Sequence, residues 1–190
     1  MSDFVLGADS SNSVQFIAVV LGMKTDVAKL RNRVCTEHGI KRIHMRKIIE
    51  RSKVAQTVSK YSTSSVHMYC FNVDRAKHSA TLESARKTQF MSSSQKNQNI
   101  DYCIAMEIKN AISGSLGLFY QNWSELLVEA DTDTKKMFQG IGLTVVLEDC
   151  AYELADAVAW ANNAGSTMNQ VREVDISSNV DLRLRKKLKM

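Results

Sequence analysis

Asp9 closes the first apolar run of the chain, Phe4-Val5-Leu6-Gly7-Ala8-Asp9-Ser10-Ser11, and a second apolar run begins at Val14. An acid followed by two hydroxyls at the mouth of a central hairpin is a costly way to build a core. A buried carboxylate must be paired, protonated or bound to a cation. Much later, Leu127-Val128-Glu129-Ala130-Asp131 ends another strand-like run in acids, and Asp156 interrupts Leu154-Ala155-Asp156-Ala157-Val158-Ala159-Trp160-Ala161. Oxygen donors of this kind suit a hard divalent cation such as Mg²⁺ or Mn²⁺. Asp9, Asp131 and Asp156 are therefore the candidate catalytic residues, and Asp9, Glu129, Asp131 and Asp156 the candidate ligands.

Plain structural roles compete with this. Asp9 can make an Asx turn, a common task at a hairpin. Glu129, Asp131 and Asp133 can be loop acids at a strand end, and Asp149, next to Glu148, can cap the helix that follows. Asp156 resists such treatment, because its helix is apolar almost all round and should be buried. His44, within Arg42-Ile43-His44-Met45-Arg46, can carry a proton near the site, but reads more simply as a surface histidine in a basic segment.

The elements that must position these acids follow from periodicity. Phe4 to Ala8 and Val14 to Leu21 read as paired strands, apolar enough to be covered on both faces. Val27, Leu30 and Val34 recur at helical spacing in a helix from Thr25 or Asp26 to about Glu37, with Gly39 as its stop. A second helix is expected from about Arg46 to Lys60, and a strand from Ser65 to Val73. Arg75 to Asn99 is polar, and its 92–99 part has the composition of a surface loop. Ile104, Ile108 and Ile112 predict a helix over Ile100 to Ile112, loosened by Gly114 and Gly117. Strands are then expected at Leu126 to Asp131 and Gly142 to Leu147, a helix at Tyr152 to Asn163 stopped by Gly165, a short edge element at Glu173 to Ile176, and a terminal helix capped by Ser178. Strands alternating with helices make an α/β domain.

Charge narrows the function classes. The chain of 190 residues carries a net +5, and Arg183, Arg185, Lys186, Lys187 and Lys189 in the last eight residues equal the whole excess. This is a basic terminal helix at about 178–190, with Val180, Leu184 and Leu188 docked on the body and a face free to meet phosphates. A second basic cluster runs from Lys41 to Lys53, opposed only by Glu50. No stretch approaches the roughly 18 consecutive apolar residues of a membrane span. Four scattered cysteines without C-x-x-C spacing disfavour a zinc site or a disulfide framework and point to a reduced, cytoplasmic setting. No Ser-His-Asp or Cys-His arrangement and no phosphate-cradling glycine loop is present.

The succession of elements resembles the ribonuclease H-like fold: a hairpin whose first strand ends in an acid, a strand ending at Asp74, a long helix, a strand ending in acids and a helix carrying Ala-Asp. More narrowly it resembles a family of that fold whose first strand ends in Asp-Glu-Ser-Gly and whose late helix begins with Leu-Ala-Asp. The matching pieces are Asp9-Ser10-Ser11-Asn12 and Leu154-Ala155-Asp156. Ser10 stands where that family has Glu, and Asn12 where it has Gly. The element order makes residues 1–190 one domain, and the resemblance, which spans roughly residues 3–164, implies a ribonuclease H-like mixed sheet with an N-terminal antiparallel hairpin and flanking helices. It implies that Asp9, Asp156 and either Asp131 or Glu129 converge at one end of the sheet. It further implies a Mg²⁺- or Mn²⁺-dependent phosphodiesterase or nuclease acting on nucleic acid. Asp9 would bridge the ions, while Arg46, Lys47 or Arg51 would hold the substrate backbone. The alternative is a non-catalytic module of the same fold that binds nucleic acid or protein through its basic surfaces. A homo-oligomer built on an apolar edge is a third reading.

Overall fold

A computed structural model describes residues 3–10, 15–86, 92–116, 123–147 and 149–189. The Ser11–Val14 part of the hairpin, Gly117 and Glu148 lie outside the described residues. Strands β1 (Phe4–Ser10), β2 (Phe16–Met23), β3 (Val66–Asn72), β4 (Leu127–Ala130), β5 (Thr144–Val146) and β6 (Val171–Asp175) form one mixed sheet in the order β5-β4-β1-β2-β3-β6. β1, β2 and β3 are antiparallel neighbours, while β4 runs parallel to β1, β5 to β4 and β6 to β3. β1 is hydrogen-bonded on both sides, so its last residues, Asp9 and Ser10, stand at the middle of the sheet's edge.

Successive side chains on a strand point to opposite faces, and both faces are covered. On one face Val5, Ala18, Val20, Met68 and Cys70 pack against helices α1 (Lys24–His38), α2 (Arg51–Tyr61) and α6 (Cys150–Asn163). On the other face, Leu6, Ala8, Ile17, Val19, Tyr69 and Phe71 pack against α3 (Arg75–Arg86), α4 (Ser93–Leu116), α5 (Thr132–Gln139) and α7 (Ser177–Lys187). This explains why β1 and β2 read as nearly continuous apolar runs rather than as alternating ones. None of the described helices is long and apolar enough to cross a membrane.

Several local expectations need correction. The polar stretch after Asp74 is not a long loop. α3 occupies Arg75–Arg86, because Leu82, His78 and Thr81 share one buried face among otherwise exposed positions. α4 begins at Ser93, since Ser92 and Gln95 exchange side-chain and backbone hydrogen bonds across the helix start. The segment after Ile43 holds only a 3₁₀ turn at Met45–Lys47 before α2 starts at Arg51. α5 follows β4 directly, and its eight residues are too few to show a helical pattern in the sequence. Gly39 and Gly165 do stop their helices or turns, with φ of 62° and 65°. Val180, Leu184 and Leu188 bury the inner face of α7, as its spacing predicts.

The tightest helix–sheet approach is α6 on β1. A Cβ at Gly7 would lie 2.0 Å from the carbonyl carbon and oxygen of Ala151 and 2.5 Å from the Tyr152 nitrogen. Neither backbone can yield, so Gly7 is required here. In contrast, a Cβ at Gly114 in α4 meets nothing within 4 Å. Gly7→Ala should therefore lower the unfolding free energy by about 3 kcal/mol. Gly114→Ala should raise it by a few tenths to about 1 kcal/mol. Urea denaturation of the two variants beside the parent measures both.

Candidate functional site

The contact at Gly7 sets the register of the site. Two residues further along β1 advance about 6.6 Å, and five residues further along α6 advance about 7.5 Å. Asp156 thus draws level with Asp9, on the face that Asp9 shares with Gly7. β4 supplies the third acid. Its parallel ladder pairs Ala8 with Ala130, so one more step brings Asp131 to the height of Asp9.

The consequence is electrostatic. Asp9 is buried, and its carboxyl is pushed up to about 7, first by loss of water and then by the charges of Asp156 and Asp131. The Ser10 N–H and the Arg46 charge oppose this without cancelling it. The charges of Asp156 and Asp131 thus both reach Asp9 at the carboxyl end of the central strand.

Their other partners differ. Asp156 accepts the Met45 N–H at 2.8 Å and lies 3.4 Å from Nδ1 of His44. Burial still holds its carboxyl above the ordinary range, against the pull of the Met45 N–H, His44 and Arg46. Asp131 is the N-cap of α5 and accepts the Thr134 N–H at 2.9 Å and the Thr134 hydroxyl.

Glu129 goes elsewhere. It is paired with Gly7 in the ladder and reaches the start of α6. There its Oε2 accepts the N–H groups of Ala151 at 2.7 Å and Tyr152 at 3.2 Å. A carboxylate at a helix N-terminus satisfies orphan donors and suits the helix dipole. The two strand-end acids thus have different partners: Asp131 caps α5 with its charge reaching Asp9, and Glu129 seats α6. Asp149 caps the same helix by accepting the Cys150 N–H at 2.8 Å.

Glu153, one turn before Asp156, is the site residue that sequence reasoning missed. Its carboxylate takes Nε of Arg31 at 2.7 Å, Nε of Arg42 at 2.7 Å and the Ile43 N–H at 2.9 Å. Burial pulls its pKa upward, but Arg31, the Ile43 N–H and Arg42 together hold it below the ordinary value. Glu153 and Asp156 thus pin alternate backbone N–H groups of the Ile43–Met45 segment onto α6. This clamp delivers His44 and Arg46 to the acids.

The three candidate substrate-binding cations sit around a shallow hollow beside Trp160. Arg46 is exposed and close enough to act on Asp9 and Asp156. Lys47 is exposed as well. Arg51 donates to the carbonyls of Ile48 at 3.0 Å and Arg46 at 3.1 Å, so it shapes the turn that carries Arg46.

Among the described residues, no group of three or more His, Cys, Asp or Glu is arranged to hold a metal ion. Mg²⁺, however, commonly takes only one or two protein carboxylates, with waters and substrate phosphates completing its shell. Asp9 and Asp156, both oxygen donors and each charged only at a cost, fit that requirement.

The Asp9 shift has a sign that can be checked. Its folded pKa, about 7, exceeds the value of 3.8 expected without burial, so the folded state holds the proton more tightly than the unfolded one. The resulting destabilisation is absent below about pH 4, grows as pH rises and is complete above about pH 7. In buffer containing a chelator, Asp9→Asn should be more stable than the parent at pH 8, on the order of 2–4 kcal/mol. The gap should shrink towards pH 4. Denaturation curves of both proteins across that range measure it.

Compared with known proteins, the chain matches no family model, no curated protein and no solved structure.

Proposed function

We propose that the chain is a ribonuclease H-like hydrolase that cleaves phosphodiester bonds in nucleic acid with the help of a bound Mg²⁺ or Mn²⁺. The observation that carries this is the meeting of Asp9, Asp156 and Asp131 at the edge of the central strand, where Asp9 cannot ionise cheaply unless positive charge arrives. The mixed sheet opening on an antiparallel hairpin, with a late helix delivering Asp156, agrees with the resemblance carried by the sequence.

Asp9 and Asp156 are the residues that would hold the cation, with Asp131 at its flank. The ion would supply a Lewis acid that stabilises charge on the phosphoryl oxygens. The chain's own residues do the rest. Arg46 is placed to bind a phosphate beside the acids. His44, against Asp156, is placed to hold or pass a proton as the leaving oxygen departs. Burial of the carboxylates keeps water from weakening these interactions. One observation favours a second reading, a non-catalytic module that binds nucleic acid or protein: no three-ligand chelate stands assembled among the described residues.

Metal titration separates the two. With Mg²⁺ or Mn²⁺ at about 100 times its Kd, the parent should gain about 2.7 kcal/mol of stability. An Asp9→Asn/Asp156→Asn variant should gain none. Cleavage of labelled DNA and RNA should require the metal and vanish in the variant. If the metal shifts neither protein and nothing is cut, the hydrolase reading fails.

A further inference from the structure

A large cleft lies on the other side of the sheet from Asp156. It has a volume of about 950 Å³. Ser10, the residue after Asp9, lines one end, together with Thr134, which donates to Asp131. Asp9 and Ser10 are neighbours on a strand and so face opposite layers. The cleft therefore begins at the site's acids and leads away from them between α4 and α5.

Its lining is unlike that of an apolar ligand pocket. Asn97, Gln98 and Gln139 are exposed amides along its walls, able both to donate and to accept hydrogen bonds. Lys136 on α5 and Lys187 on α7 are exposed cations at its rim, and the half-buried Arg75 is a third cation in the wall. Asp101, the one acid in the lining among the described residues, is already paired with Arg75 at 2.7 Å. Tyr102 forms part of the lining, with the Lys187 ammonium 3.9 Å from its ring centroid.

Tyr102 and Lys187 also line a second hollow, of about 530 Å³, between α4 and α7. Lys186 lies along it, as does Arg183, which is ion-paired with Glu107 in the same lining. The cleft and this hollow adjoin at Tyr102 and Lys187, which line both, and together they mark a course from Ser10 and Thr134 to the terminal helix. The cationic excess of the chain thus lies at the far end of a path that starts at Asp9.

We propose that this course is the binding track of a single nucleic-acid strand. Phosphates would run past Lys136, Lys187 and Lys186, the amides would hydrogen-bond base edges, and Tyr102 would offer a ring for stacking. Bases can stack on Tyr102 and meet the amides only where they are splayed out, as they are in a single strand. The assignment rests on the hydrolase reading for where the strand ends, at Asp9, but binding along the track needs neither metal nor turnover.

The test is fluorescence anisotropy in a chelating buffer, with a labelled single strand of about 12 nucleotides, within the range such sites cover. DNA, RNA and duplex versions are compared. Lys136→Glu/Lys187→Glu should weaken single-strand binding roughly tenfold or more. The slope of log affinity against log salt should fall by about 0.7 for each phosphate that is no longer neutralised. Lys136→Glu alone, at an exposed position of α5, should give a smaller loss in the same direction. Lys24→Glu/Lys29→Glu, an equal charge change on α1, should leave binding unchanged.

Equal losses from the α1 and track variants would overturn the track, as would no binding to the parent. So would displacement of the strand by polyglutamate of matched charge as effectively as by unlabelled strand. If cleavage depends on Asp9 while the track variant keeps the parental kcat/KM, the track falls and the hydrolase stands. Strand binding that maps to the track without metal-dependent cleavage has the opposite meaning: the track stands and the hydrolase falls.

Discussion

The site depends on how closely α6 lies against β1. Because Gly7 has no side chain, the helix backbone rests directly on the strand, and Glu129 fixes its first turn by accepting two of its free N–H groups. Those contacts determine which α6 residue meets the end of β1. A helix held one side-chain radius further out, or shifted by one residue, would bring an alanine to Asp9 instead of Asp156. Close packing of small residues is thus what converts two distant stretches of sequence into a charged pair.

The buried carboxylates then divide by how well each is compensated. Glu153 has two guanidinium groups and a backbone N–H, enough to overcome its desolvation and keep it ionised. Asp156 has a backbone N–H, His44 and a share of Arg46, and burial still wins. Asp9 has the least support and the most like charge nearby. Structural ion pairs are expected to resemble Glu153, because an uncompensated buried charge is costly. An acid held as Asp9 is, against its own ionisation, is the kind of group that active sites use.

Much of this is legible from residue types. Gly39, Gly165, the isoleucine spacing of α4 and the apolar β1 and β2 announce their elements, and Asp156 stands out because its surroundings are so uniformly apolar. The choice between Glu129 and Asp131 cannot be read from sequence, since both lie at the end of one short strand. It turns on which of them lies level with the first turn of a helix that begins twenty residues later. Glu153 is hidden for the same reason. An acid in the first turn of a helix is ordinary in sequence, and only the fold brings Arg31 and Arg42 to it from a distant segment. α3 is equally hard to see, because a polar surface helix with one narrow buried face looks much like a loop. The hairpin motif at Ser11 and Asn12 lies outside the described residues.

The alternation of Asp9 and Ser10 across the sheet edge has a geometric corollary. Asp9, Asp156 and Arg46 lie on one layer, and the amide-lined cleft opens on the other, with the strand terminus as a ridge between them. Any molecule that touches both must bend sharply over that ridge. A stiff, compact metabolite has no such crease to offer, whereas a chain with a freely rotating backbone folds over it at little cost. The partition of side chains along one β-strand thereby selects for the pliancy of a ligand as well as for its charge.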